Sequence, residues 1–136
     1  MAEKLCNLRK YGGGNSLKET VLWTNSNPGT QFAAQTVTLS HSLLDFDYIK
    51  IKYRAVYDNA DYGAAEIMSI TDFMSLENTA RRCSGMGISV MIGTIQYARR
   101  AKASGNNGVY FTGAIAINQS GSNNGLGVPE EIYGMK

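Results

Sequence analysis

The residues that could do chemistry begin with the only histidine of the 136-residue chain, His41. It lies between Ser40 and Ser42, and Asp45 and Asp47 follow shortly after. A serine nucleophile, a histidine base and an aspartate that orients the base are the parts of a hydrolase triad. Triad members are brought together by the fold and not by adjacency in sequence. We therefore interpret His41 as an exposed loop histidine and predict no catalytic residue.

Two pairs of carboxylates could serve glycoside hydrolysis, which needs two acids about 5 to 10 Å apart. The pairs are Asp58 with Asp61, and Asp72 with Glu66. Their separation along the chain does not fix their separation in space, so we interpret them as loop and solvent-face acids. A small glycan hydrolase or esterase stays as the enzymatic alternative.

The sequence predicts no metal site and no cofactor. One histidine and two distant cysteines do not form a transition-metal set. Residues 58–61 offer oxygen ligands but lack the spacing of an EF-hand loop, so a loop calcium site stays only as an alternative. The glycines at 12–14 and 85–87 lack the lysine of a phosphate-binding loop. We interpret Cys6 and Cys83 as free thiols, with a disulfide between them as the alternative.

Ligand contacts are expected from tyrosine, arginine and asparagine side chains in loops. A tyrosine ring suits both sugar stacking and protein interfaces, and arginine could contact an anionic cell-wall polymer. The nominated ligand-binding residues are Tyr62, Tyr97, Arg99, Arg100, Asn106 and Asn107. In the alternative interpretation the tyrosines fill the sheet faces and the core, and the arginines are solvated charges in loops or at strand ends.

Charge and hydropathy exclude two classes of partner. The formal net charge is only +2, which provides no overall field to attract nucleic acid. No segment approaches the roughly 20 apolar residues of a membrane helix, and the first residues do not resemble a signal peptide. We expect neither nucleic-acid binding nor membrane insertion.

Short strands joined by tight turns are predicted from 15 glycines, two prolines and a charged fraction of 18%. The clearest strand runs from 47 to 58, where Ile49 and Ile51 alternate with Lys50 and Lys52. Further strands are predicted over 17–24, 35–40, 66–73, 88–97 with a β-bulge at Gly93, 109–118 and 128–135. Loops are predicted over 58–63, 74–82 (leading to a short strand near Arg82), 104–108 and 119–127.

Seven or eight such strands indicate an all-β fold, an antiparallel β-sandwich similar to a jelly roll. Three consecutive glycines at 12–14 carry too much backbone entropy for a regular element. We therefore expect residues 1–16 to be a lead-in segment with a glycine-rich linker, and 17–136 to form a single domain.

Four segments follow one another in an order that carries a family resemblance. Residues 21–28 (VLWTNSNP) precede 32–39 (FAAQTVTL) and the tyrosine- and lysine-rich strand from Tyr48, and the chain ends in VPEEIYGMK. In this order they resemble the C-terminal domains of bacteriophage and prophage tail-fibre and baseplate proteins. The likeness covers most of residues 17–136, although Val128 stands where the terminal signature of those proteins has isoleucine.

The resemblance implies a non-enzymatic structural protein of a virion, made in the cytoplasm of the bacterial host. It implies a homo-oligomer, a trimer by analogy, that contacts other tail proteins. It also implies that the oligomer binds a bacterial surface polysaccharide. The alternative is a virion assembly or capsid-decoration subunit with no ligand.

Overall fold

The computed structural model describes residues 17–75 and 84–136, which form two antiparallel β-sheets with nine strands between them. The strands are β1 Glu19–Thr24, β2 Gln35–Thr38, β3 Tyr48–Val56, β4 Asn59–Ser69, β5 Met86–Ile92, β6 Ile95–Ala103, β7 Gly108–Phe111, β8 Ile115–Ala116 and β9 Leu126–Met135. A 3-10 turn over Leu43–Asp45 and one short helix, α1 Ile70–Phe73, complete the described elements. The prediction of an all-β antiparallel sandwich is confirmed.

Early and late strands of the described chain lie side by side in each sheet. One sheet has the order β1-β9-β3-β4, and the other has the order β2-β7-β6-β5 with β8 beside β6. The first strand pairs with the last and the second with the seventh, which is part of the strand pairing found in a jelly roll. The middle of the chain is simpler, because β3–β4 is a hairpin of the first sheet and β5–β6 and β6–β7 are hairpins of the second. None of the described helices is long and apolar enough to cross a membrane.

Strand β3 shows why the sheets form a sandwich. Ile49 and Ile51 are fully buried, and Lys50 and Lys52, which alternate with them, face out of the sheet. Strand β9 lies between β1 and β3 and buries Val128 and Ile132 against the same core. Its Pro129 stands beside a register shift in the β3–β9 pairing, where a missing N–H does not interrupt a regular ladder.

The predicted loop over 58–63 is wrong. Tyr57 and Asp58 alone form the turn, and β4 starts at Asn59. This part of β4 consists of small and polar residues exposed on both faces, so no apolar alternation marks it as a strand. The bulge in the β3–β4 pairing beyond Arg54 also breaks any regular period there.

The predicted strand over 66–73 ends early, at Ser69. The Ser69 hydroxyl accepts a hydrogen bond from the Asp72 N–H at 3.1 Å and caps α1, which buries Ile70 and Phe73. Met74 and Ser75 follow the helix, but residues 76–83 lie outside the described part of the chain. The strand predicted near Arg82 therefore lies there too, as do Cys83, Cys6 and the linker over 1–16.

The predicted β-bulge at Gly93 is a hairpin turn instead. Ile92 pairs with Ile95, and Gly93 has a φ of 62°, which suits glycine in a two-residue turn. The strand predicted over 109–118 is likewise two strands, separated at residues 112–114. Across that break the buried positions change parity, so Ile115 is 56% exposed while Ala116 is buried.

Candidate ligand-binding site

A groove of about 360 Å³ lies where the end of β1, the turn after it and strand β2 meet. The turn is held by Asn25, whose amide donates to Pro129 O at 2.8 Å and whose carbonyl oxygen accepts from the Asn27 N–H at 2.9 Å. The lining residues are Trp23, Thr24, Asn25, Ser26, Asn27, Thr30, Gln31, Phe32, Gln35, Thr36 and Val37. None of them is charged.

Two aromatic rings, Trp23 and Phe32, form the apolar side of the groove, and the buried Phe111 packs against both of them. The half-buried Trp23 ring lies 6.0 Å from Phe32 and 6.1 Å from Phe111, centroid to centroid. Phe32 and Phe111 meet edge to face at 5.5 Å. Such contacts fix the orientation of the rings beyond what their burial alone requires. The indole is therefore held in place before any ligand arrives.

The rim of the groove offers hydrogen-bonding groups that the fold does not use. Asn27, Gln31 and Thr36 are exposed, and their side chains make no hydrogen bond to another residue within 17–75 or 84–136. Gln35 donates one bond to Ala33 O at 3.1 Å and keeps its amide oxygen free among these residues. An aromatic ring beside uncharged donors and acceptors suits a neutral ligand rich in hydroxyl groups.

Arg99, nominated as a ligand contact, lies inside the sandwich and is 1% exposed. Nη1 donates to the carbonyl oxygens of Phe32 and Thr112, both at 2.9 Å. Nη2 donates to those of Asn124 at 3.2 Å and Leu126 at 3.0 Å. The interpretation of Arg99 as a solvated charge is wrong, because four carbonyl oxygens replace water around the guanidinium.

Burial lowers the pKa of Arg99 to about 10, so the group is still charged at neutral pH. The guanidinium carbon lies 5.4 Å from the centre of the Phe32 ring, a distance at which a cation is attracted to an aromatic face. Arg99 thus anchors both the carbonyl and the ring of Phe32, and through them one wall of the groove.

The other nominated residues do not converge on one site, and none lines the groove. Tyr62 is 68% exposed on β4, the edge strand of the β1-β9-β3-β4 sheet. Tyr97 is half-buried on β6 opposite Val90, and Arg100 on the same strand donates to Ser84 O. The pair Asn106 and Asn107 lies beyond the far end of β6.

The backbone of the Asn106–Asn107 loop has a structural role. Asn106 O accepts from the Leu43 N–H at 2.7 Å, and Asn107 O accepts from the Leu39 N–H at 2.8 Å. Their side chains remain exposed. These bonds tie the β6–β7 loop to the segment that follows β2.

His41 is exposed, and its Nδ1 lies 2.9 Å from the Ser40 hydroxyl. Its ring also meets Phe46 edge to face, with the centroids 6.2 Å apart. No hydrogen bond joins Asp45 or Asp47 to this ring among the described residues. Within those residues no group of three or more His, Cys, Asp or Glu could hold a metal ion.

The groove was missed because sequence reasoning gave weight to tyrosines and arginines. The signal that could have found it is the sole tryptophan of the chain, two residues before an Asn-Ser-Asn-Pro turn. Comparison with models of known protein families and with curated proteins finds no match to this chain.

Proposed function

We propose that this chain is a non-enzymatic structural module of a bacteriophage virion that binds a neutral glycan of the bacterial surface in the groove beside Trp23. The observation that carries the binding proposal is an ordered indole in an uncharged groove rimmed by free amide and hydroxyl groups. A pyranose ring has an apolar face of C–H groups and a rim of hydroxyls, so it matches both parts.

The size of the groove supports a ligand of one or two sugar rings. Its volume of about 360 Å³ is at the lower end of the range for small-molecule sites, about 300 to 1,000 Å³. The absence of lysine, arginine, aspartate and glutamate from the lining disfavours acidic sugars and phosphate-bearing polymers, whose charge would be left without a partner. The virion setting is supported by the resemblance of residues 21–28, 32–39 and 128–136 to phage tail proteins.

The test is binding of a panel of neutral oligosaccharides by the full chain, followed through the fluorescence of Trp23, which is the sole tryptophan. We expect saturable binding to at least one neutral glycan. Gln31→Ala should weaken it roughly 3- to 10-fold, as expected for one hydrogen bond. For Trp23→Leu, which has no indole signal, calorimetry replaces fluorescence and should show a loss of at least about tenfold.

Tyr62→Ala is the matched control, because this exposed ring was nominated from sequence but lies outside the groove. It should leave affinity unchanged. Binding that depends on Tyr62 and not on Gln31 would contradict the assignment of the groove. No binding of any neutral glycan by the folded chain would favour the assembly subunit without a ligand.

A further inference from the structure

The edge strand β4 is longer and more exposed than the other edge strands of the two sheets. It has 11 residues, whereas the other edges, β1, β2 and β5, have 6, 4 and 7. From Ala60 to Ile67 it is exposed on both faces. It contains no proline, lysine or arginine, and its charged side chains are Asp61 and Glu66. Long exposed edges without proline, lysine or arginine are templates for pairing with another chain.

The parity of β4 defines which backbone groups face its open edge. The Ile70 N–H donates to Asp47 O at 2.9 Å, one pair beyond the Tyr48–Ser69 pair of the β3–β4 ladder. Because bonded and non-bonded pairs alternate in an antiparallel ladder, the N–H and C=O groups of Gly63, Ala65 and Ile67 point away from β3. They have no strand beside them among the described residues.

We propose that two copies of this chain pair through β4 about a two-fold axis at Ala65, which joins their four-stranded sheets into one. Outward-facing residues must pair with outward-facing residues, so only registers with an odd-numbered residue opposite another odd-numbered residue are allowed. With Ala65 opposite its own copy, Ile67 lies opposite Gly63, and about six backbone hydrogen bonds form.

Side-chain size and charge select this register. Ile67 is 59% exposed, and Gly63 opposite it leaves space for the isoleucine side chain. Glu66, which pairs with the buried Ile51 of β3, would lie opposite Ala64 of the other copy. An axis at Glu66 would instead place two carboxylates directly opposite each other, which is destabilising.

The axis at Ala65 also uses a hollow on the outer face of this sheet. Gly63, Ala64 and Ala65 line a depression of about 640 Å³ together with charged residues of β3 and β9. The cations of that face already have partners, since Lys50 lies 2.6 Å from Glu19 and Lys52 lies 3.4 Å from Glu131. The small side chains of β4 therefore leave space at the edge of the outer face, and Ile67 of the second copy can pack there.

The test combines mass in solution with site-directed crosslinking, in chains whose two native cysteines are replaced by serine. Light scattering should give the mass of a dimer. Ala65→Cys should crosslink under mild oxidation, because its Cα would lie about 5.5 Å from its copy, within the range for a disulfide. Ala64→Cys is the matched control: its Cα atoms would lie about 7 to 8 Å apart, beyond that range.

Two further variants separate assembly from folding. Ala65→Pro removes an outward N–H without removing a bond to β3, and Ala65→Lys adds a charge while leaving the backbone intact. Both should give a folded monomer by circular dichroism and light scattering. A native monomer, a trimeric mass, equal crosslinking at 64 and 65, or a dimer that persists in folded Ala65→Lys would each overturn the proposal. Glycan binding is measured separately, because this proposal does not depend on it.

Discussion

At the scale of single residues, Arg99 combines two properties that rarely occur together: a charge and near-complete burial. Its four carbonyl partners come from residues 32, 112, 124 and 126. Residues 32 and 124 lie in connections between the two sheets, 112 lies between β7 and β8, and 126 begins β9, so one side chain holds several connections in place. Nε alone has no partner in the described structure. Removing the guanidinium would leave the four carbonyl oxygens without these donors.

Arg99→Met should therefore lower the free energy of unfolding by at least about 3 kcal/mol, because each buried carbonyl oxygen left without a donor costs about 1 to 3 kcal/mol. Arg100→Met is the matched control, because this neighbour is only half-buried and donates to a single carbonyl. It should cost about 1 kcal/mol. Urea unfolding followed by circular dichroism measures both values. Equal losses in the two variants would show that the carbonyl contacts of Arg99 are not stabilising.

Tyr133 gives a prediction about pH. Its hydroxyl donates to Glu131 Oε1 at 2.6 Å. This hydrogen bond, aided by burial and by the charge of Glu131, raises the pKa of Tyr133 to about 12. The folded protein thus holds the proton more tightly than the unfolded chain, whose tyrosines ionise near pH 10. The contribution of the protonated Tyr133 to the stability of the fold is complete below about pH 10 and is lost as the pH rises from about 10 to 12.

We expect Tyr133→Phe to reduce this loss, because phenylalanine has no proton to release. The measurement is the free energy of unfolding in urea at several values of alkaline pH. Tyr62→Phe makes the same substitution at an exposed tyrosine of another strand and is the matched control. If Tyr133→Phe and the native protein lose stability equally, the bond to Glu131 does not govern this titration.

At the scale of elements, the end of β9 depends on a close approach between backbone and ring. Gly134 is buried, and a Cβ atom there would lie 2.5 to 2.6 Å from three ring atoms of Phe46. The glycine of the terminal Ile-Tyr-Gly sequence thus has a packing role: it makes room for Phe46.

Gly134→Ala should destabilise the protein by about 1 to 3 kcal/mol through overpacking. Gly87→Ala, in β5, is the matched control, since a Cβ there meets nothing within 4 Å. It should change stability by less than about 1 kcal/mol, and in the stabilising direction, because alanine restricts the unfolded chain. Thermal unfolding of the two variants compares them directly, and similar melting temperatures would argue against the contact with Phe46.

Elements could be predicted from sequence where one face of a strand meets the core. In β3 the alternation of Ile49 and Ile51 with lysines follows directly from burial on one side. Strand β4 has no such alternation of apolar and polar residues, because both of its faces are exposed over most of its length. The turn at Gly93 was mistaken for a bulge because both change the parity of the apolar residues.

The candidate site was less predictable than the strands. Burial of Arg99 depends on carbonyl groups that come from distant parts of the chain, and no local pattern reports their convergence. Trp23 and Phe32 meet Phe111 only because β1 and β7 belong to opposing sheets. The jelly-roll pairing of first with last strand is non-local in the same way.

At the scale of the whole molecule, the two sheets share one core. A single cluster of buried side chains includes Leu22 and Ile132 from one sheet and Ile88 and Val109 from the other. The outer face of the β1-β9-β3-β4 sheet carries three ion pairs, so this sheet has no second apolar face that could be buried on its own. Separation of the sheets would expose the inner faces of both at once.

We therefore expect the described domain to unfold in one cooperative transition, and Trp23 makes this testable. Its indole extends from β1 in one sheet to Phe111 in the other, so its fluorescence reports on contact between the sheets. Far-ultraviolet circular dichroism reports on the strands themselves. The two signals should change at the same urea concentration, as they do in two-state unfolding. If fluorescence changed first, the sheets would separate before they unfold, and the buried Arg99 contacts would not be enough to couple them.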